Sequence, residues 1–243
     1  LVLIGIGTCD LVFSWTRRPR LAEGVAAATA VVVGLLAGCT GPQTFGLLLV
    51  VAAVVAWGES VTYGFGAQRF VVPLTVLGGT VALGVLASVA APREGGLLEE
   101  VLLESTLPVL SGMEAGRALL LAGVLLVQLS TGNVIVRLVL GASGTTHPLR
   151  STTGQQQHLK GGRLLGPMER LLIVGLGLAG EVTAASIVIA AKGLLRFPEL
   201  QSARADGTGD AGGPGIHEVT EYFLVGSFVS WTVSLTCLAL ATA

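Results

Sequence analysis

Charge is scarce in this chain: Asp, Glu, Lys and Arg make up 12% of its 243 residues, where a soluble domain carries roughly 25%. That scarcity excludes a water-soluble globule, most of whose surface polar groups would have to come from these residues. The net charge of −1 leaves no broad basic surface, which speaks against nucleic acid as a partner. The three cysteines, Cys9, Cys39 and Cys237, have neither CxxC nor Cys/His spacing. No zinc site and no disulfide framework is expected from them, and they read as free thiols in or beside apolar runs. The three histidines, His147, His158 and His217, fall in polar stretches without an HExxH or a Ser/His/Asp order. A P-loop and the DGxxAR-type metal motif of phosphatidyl transferases are also lacking. These gaps weigh against an enzyme and give no metal or cofactor to expect.

What the chain has in abundance is apolar residues, at 52%, with a mean hydropathy of +0.80. Its 35 glycines suit membrane helices, where small residues let neighbours approach closely. The solvent implied for most of this chain is lipid. A spanning helix needs about 20 mainly apolar residues. Candidate spans are 1–15, 21–39, 44–57, 70–91, 118–140, 170–195 and 221–241. The first and third are short, so the expectation is an all-α polytopic transmembrane bundle with six or seven spans. The chain opens at Leu1 on apolar residues without a basic stretch, so no cleavable leader is expected within it and its first span reads as truncated.

Between the fourth and fifth spans, 97–110 reads LLEEVLLESTLPVL. Its leucines recur at helical spacing against Glu99, Glu100 and Glu104, which predicts an amphipathic interfacial helix ended by Pro108. The expected organisation is N-terminal transmembrane helices over 1–91, an interfacial segment over 92–116, and a C-terminal bundle over 117–243. Polar loops are expected at 141–163 and 201–215. With seven spans, nine Lys/Arg lie on one side and five on the other. That bias predicts an outside N-terminus and an inside C-terminus.

One motif is a decoy. The run LLIVGLGLAG places Gly175, Gly177 and Gly180 in a G-x-G-x-x-G pattern. A dinucleotide site would need a second strand and an acid to hold the ribose. Here the next segment is Arg196, Phe197 and Pro198 before a glycine-rich polar loop, so the glycines read as helix-packing positions.

The sharpest signal is Glu181, read at the middle of the sixth span. Arg170, Glu181 and Lys192 are spaced by eleven residues, close to three helical turns, which predicts one face at successive depths roughly 16 Å apart. A carboxylate at mid-membrane costs about 2.5 kcal/mol or more and needs a partner or a water-filled cavity. Gln128 and Asn133 on the fifth span are the expected hydrogen-bonding partners, and Asp10 is a second intramembrane acid. Arg137, Arg163, Glu169, Arg170, Lys192, Arg196 and Glu221 are expected to form a charged rim.

The order GRxxGxxER at Gly162, Arg163, Gly166, Glu169 and Arg170, then AAK ending at Lys192, then EYxxxG at Glu221, Tyr222 and Gly226, resembles the C-terminal part of a family of uncharacterised bacterial polytopic membrane proteins. The stretches LSTGNVIVRLVL and EYFLVGSFVS add to it, and together they cover about half the chain. The resemblance implies an integral protein of the bacterial cytoplasmic membrane and supplies no activity. That family carries His and Asp in an N-terminal helical region, whereas this chain has no histidine before His147. The expected role is handling of protons, ions or a small polar solute through a polar core around Glu181. Two rivals stand beside it: a structural or accessory subunit, and a membrane-embedded enzyme acting on lipid head groups. The bilayer is the expected partner, with other membrane subunits or a second copy of the chain as further candidates.

Overall fold

The computed structural model describes residues 1–89, 96–105, 112–145, 162–206 and 216–242. The side chains of 42, 87–89, 162–163, 195–206 and 216–219 are not among those described. The described residues form helices joined by turns, with no strand among them. Four helical runs are long and apolar enough to cross a membrane: Pro19–Leu36, Thr44–Gly66, Ala115–Ala142 and Thr220–Thr242. Val2–Thr16, Val71–Leu86 and Val182–Leu194 are apolar but shorter. The chain falls into two compact units, Leu1–Thr131 and Gly132–Ala243.

The N-terminal unit is built on α1 (Val2–Thr16), which packs against α2 (Pro19–Leu36), α3 (Thr44–Gly66) and α6 (Ala115–Leu126), and more lightly on α4 (Val71–Val89). At 15 residues, α1 is about 22 Å long, short for a 30 Å hydrocarbon core. It is nonetheless the helix the others surround, with Ile4, Ile6, Cys9 and Asp10 all buried. Close packing follows from small side chains. Ala22, Ala26, Ala30 and Gly34 recur every fourth residue of α2 and are all buried, the spacing that brings one face of a helix against a neighbour. On α1, a Cβ at Gly7 would lie 2.6 Å from Leu126 Cβ. Arg17, with φ 54°, ends α1 in the left-handed region. Pro19 then opens α2, where its fixed φ suits the first helical position. A short helix, α5 (Leu97–Leu103), carries Glu99 and Glu100 in its first turn and buries Leu102. It forms the first half of the expected interfacial helix. Glu104 already lies beyond it, and 106–111 lie outside the described residues.

The run from Ala115 to Ala142 is continuous but not uniform. It passes from α6 through a π-helical turn, Val127–Thr131, into α7 (Gly132–Ala142) of the C-terminal unit. That unit adds α8 (Gly162–Leu178), α9 (Val182–Asp206) and α10 (Ile216–Thr242). α10 packs against α7, α8 and α9, and α8 packs against α9.

The sixth span expected over 170–195 is two helices. Gly180 has φ 81°, its N–H bonds Gly177 O at 3.1 Å, and the Glu181 N–H bonds Leu176 O at 2.8 Å. This pair of bonds is a Schellman stop, which needs the left-handed residue that glycine supplies without strain. The decoy glycines thus have separate duties. Gly180 ends α8, Gly177 lets Leu238 of α10 pack against the backbone, and Gly175 has open space beside it. The polar loop expected from residue 201 is also displaced, since α9 continues to Asp206; 207–215 and most of 141–163 lie outside the described residues.

Candidate functional site

The C-terminal unit gathers charge around two consecutive residues of α8. Arg170 is 1% exposed. Its Nη2 donates to Asn133 Oδ1 of α7 at 2.8 Å, and its Nη1 donates to Ser230 Oγ of α10 at 3.3 Å. Space for the planar guanidinium comes from Gly132, where a Cβ would lie 2.5 Å from Nε and 2.7 Å from Cζ. Ser234, one turn further along α10, is wholly buried and donates to Ser230 O at 3.1 Å.

Glu169, also buried, points to different partners. Trp231 Nε1 donates to its Oε1 at 2.8 Å, and Lys192 of α9 forms a salt bridge with its Oε2. The Lys192 ammonium lies 5.9 Å from the Trp231 ring centroid, a cation–π distance. The result is a polar centre of two cations, Arg170 and Lys192, and one carboxylate, Glu169, to which all four helices of the unit contribute. The Glu169 charge is paired and hydrogen-bonded, the arrangement that burial of a charge demands, while the hydrogen bonds from Arg170 to Asn133 and Ser230 end on neutral oxygens.

The N-terminal unit has its own polar centre. Asp10 is 6% exposed, and Trp57 Nε1 donates to both its oxygens, at 3.2 Å and 3.1 Å. The Thr131 side chain lies beside the same carboxylate from the π-helical turn. Gln128, on that turn, is wholly buried, and the turn packs against α1.

The expected site residues are therefore regrouped. Glu181 sits exposed in the turn between α8 and α9, so the Arg170, Glu181, Lys192 face does not form. Lys192 reaches Glu169 because α9 folds back on α8, not through helical periodicity. Asn133 bonds Arg170, while Gln128 belongs to the N-terminal unit. Of the expected rim, Glu169 and Arg170 are buried, and Arg137 and Glu221 are exposed. The side chains of Arg163, Arg196 and His217, and all of His147 and His158, lie outside the described residues.

Sequence reasoning passed over Glu23, Trp57, Ser230 and Trp231. Both tryptophans stand in apolar helices with an indole N–H that needs an acceptor when buried, which was the available signal. Among the described residues no three of His, Cys, Asp and Glu converge as a metal site requires. The chain matches no protein-family model, no curated protein and no solved structure.

Proposed function

We propose that this chain is an integral protein of the bacterial cytoplasmic membrane, with the shorter apolar helices joining the four long ones to give six or seven spans. Its C-terminal polar centre handles protons, ions or a small polar solute. The observation that carries this reading is Arg170 at 1% exposure beside buried Glu169, on a helix packed among the apolar runs of α7, α9 and α10. Charged groups within membrane segments are costly and concentrate at substrate and ion pathways. The centre of the reading moves accordingly from Glu181 to Glu169 and Arg170. The sequence patterns that resemble a bacterial membrane family contain Asn133, Glu169, Arg170, Lys192 and Ser230, all of them members of this centre, and this supports a shared family role.

A second reading, a structural subunit, is favoured by one observation: both Glu169 oxygens are engaged and Arg170 reaches two other helices. Such a closed network can serve as a clamp alone. Reconstitution separates the two. Under the first reading, liposomes carrying the parent show a proton, ion or solute flux that Glu169→Gln abolishes while the protein remains folded. A parent without flux under any gradient, combined with a lower melting temperature in Glu169→Gln, sinks the first reading and selects the clamp.

A further inference from the structure

Four arginines crown one end of the N-terminal unit. Arg17 closes α1, Arg18 precedes α2, and Arg20 stands in the first turn of α2. Arg69 lies between the end of α3 at Gly66 and the start of α4 at Val71. Two buried contacts set the register of these helices. Asp10 of α1 accepts from Trp57 of α3. Glu23 of α2 lies against Gly58 of α3, where a Cβ would come within 2.6 Å of its Oε1. Counting outward from these contacts to Thr16, Pro19 and Gly66 puts the three helix ends within roughly 6 Å of one level. All four arginines are exposed, and none of them forms a salt bridge among the described residues. The exposed acid described at this end is Glu59, whereas Glu23 is buried.

The opposite end of the unit carries the reverse sign. Gly96, just before α5, packs on the chain leaving α2, where its Cβ would lie 2.5 Å from Leu36 O and 2.4 Å from Gly38 N. Gly123 packs on Leu3 and Ile4, and Gly7 on Leu126, so α6 runs parallel to α1 and begins at that same far end. Glu100, Glu104 and Glu114 are exposed there, with Arg117. Helix dipoles explain only part of the basic end. Arg17 and Arg69 follow helix C-termini, where a cation is favoured. Arg18 and Arg20 stand at the start of α2, where it is disfavoured, and no acid offsets them in that first turn. Below the arginines lies an aromatic and apolar collar. Trp15, at 84% exposure, and Tyr63 are exposed within a turn of the helix ends, with Phe13, Leu21 and Val71 exposed beside them. Trp and Tyr favour the boundary between head groups and acyl chains, which puts the arginines at head-group depth. A soluble anion or an acidic protein would leave this collar uncovered; a lipid covers both.

We propose that this end of the unit binds the head groups of anionic phospholipids, with the four arginines on the phosphates and the collar against the acyl chains. A guanidinium donates two parallel hydrogen bonds to phosphate oxygens. The proposal rests on the membrane reading above but not on flux through the C-terminal centre. Its test titrates fluorescent phosphatidylglycerol and phosphatidylcholine against the full chain in neutral detergent. Both lipids carry a phosphate, but that of phosphatidylcholine is offset by its own ammonium. Phosphatidylglycerol should bind more tightly, and added salt should narrow the difference. Arg17→Gln, Arg18→Gln, Arg20→Gln and Arg69→Gln should each weaken it by up to about fivefold, and the quadruple variant should lose the preference. Arg117→Gln, at the acidic end, should bind like the parent. The single variants carry the test if the quadruple one does not fold. Equal affinity for the two lipids overturns the proposal, as does a preference that survives these substitutions or that Arg117→Gln removes equally. Displacement of the lipid by inorganic phosphate at matched concentration also overturns it, in favour of a soluble anion. Release of the protein from membranes by alkaline carbonate would instead fail the membrane reading itself.

Discussion

Trp231 donates its indole N–H to Glu169 Oε1 at 2.8 Å, joining residues 62 positions apart. With Lys192 on the other oxygen, one carboxylate ties α8 to both α9 and α10. Its neighbour Arg170 turns away by the roughly 100° that separates consecutive helical residues and binds α7 and α10 instead. A two-residue step along α8 thus holds the unit together in two directions, and each direction can be tested alone.

The Glu169–Lys192 pair should show energetic coupling. Removing one partner leaves the other as a poorly compensated charge, costing about 3–5 kcal/mol in a fully buried pair. Lys192 retains 21% side-chain exposure, so the lower part of that range or less is expected here. Glu169→Gln and Lys192→Met should each lower the melting temperature in detergent, and the double variant should recover part of the loss. The coupling expected for contacting residues is about 0.5–3 kcal/mol. Strict additivity of the two losses would mean the salt bridge contributes nothing.

Gly132 and Gly175 should respond in opposite ways to alanine. At Gly132 the added carbon would meet the Arg170 guanidinium at 2.5 Å, and overpacking of this kind costs about 1–3 kcal/mol. At Gly175 nothing lies within 4 Å, so alanine should be neutral or stabilise α8 by up to about 1 kcal/mol through its better helix propensity. Thermal unfolding of the two variants side by side decides this. Equal effects would show that Gly132 does not make the space for Arg170.

The all-helical character was legible in hydropathy because it depends on composition summed over some twenty residues. The interruption at Gly180 was not, because apolar residues run on through it from Leu171 to Ala190 and a single left-handed glycine decides the break. Glu181 then looked like a mid-membrane acid when it stands just outside a helix end. The Glu169–Lys192 bridge was hidden for the same cause: its 23-residue separation becomes a contact only once the chain reverses. Glu23 was passed over at the edge of an arginine-rich hairpin, where an acid reads as an interfacial residue. Its burial depends on Gly58, 35 residues later, and no periodicity links the two. Asp10 was legible as an acid in an apolar run, but its partner Trp57 was read as the end of a span that in fact continues to Gly66.

Trp57→Phe should expose the dependence of the N-terminal unit on a single donor. Phenylalanine keeps most of the ring volume and removes the N–H that serves both Asp10 oxygens. A buried acceptor left without its donor costs about 1–3 kcal/mol, so the variant should melt below the parent. In an Asp10→Asn background the same substitution should cost less, because the amide presents one acceptor rather than a carboxylate. Identical losses in both backgrounds would place the effect in ring packing and not in the hydrogen bond.

Glu181 supplies the sharpest test of where the C-terminal centre lies. It is exposed and its backbone closes the turn after α8, so its side chain is not needed to hold any helix. Glu181→Gln should therefore melt within about 0.5 kcal/mol of the parent, as surface substitutions do, and leave any flux intact. Glu169→Gln should reduce both stability and flux. Glu181→Cys, in a chain whose Cys9, Cys39 and Cys237 have been replaced, should react with a membrane-impermeant maleimide from one side of intact vesicles. The reversal in α8–α9 requires this, since a turn with a free polar side chain belongs at a water-facing end of the helix pair and not in hydrocarbon. If the introduced thiol reacts only after detergent is added, and Glu181→Gln abolishes flux while Glu169→Gln does not, then Glu181 is an intramembrane acid after all and the centre belongs there.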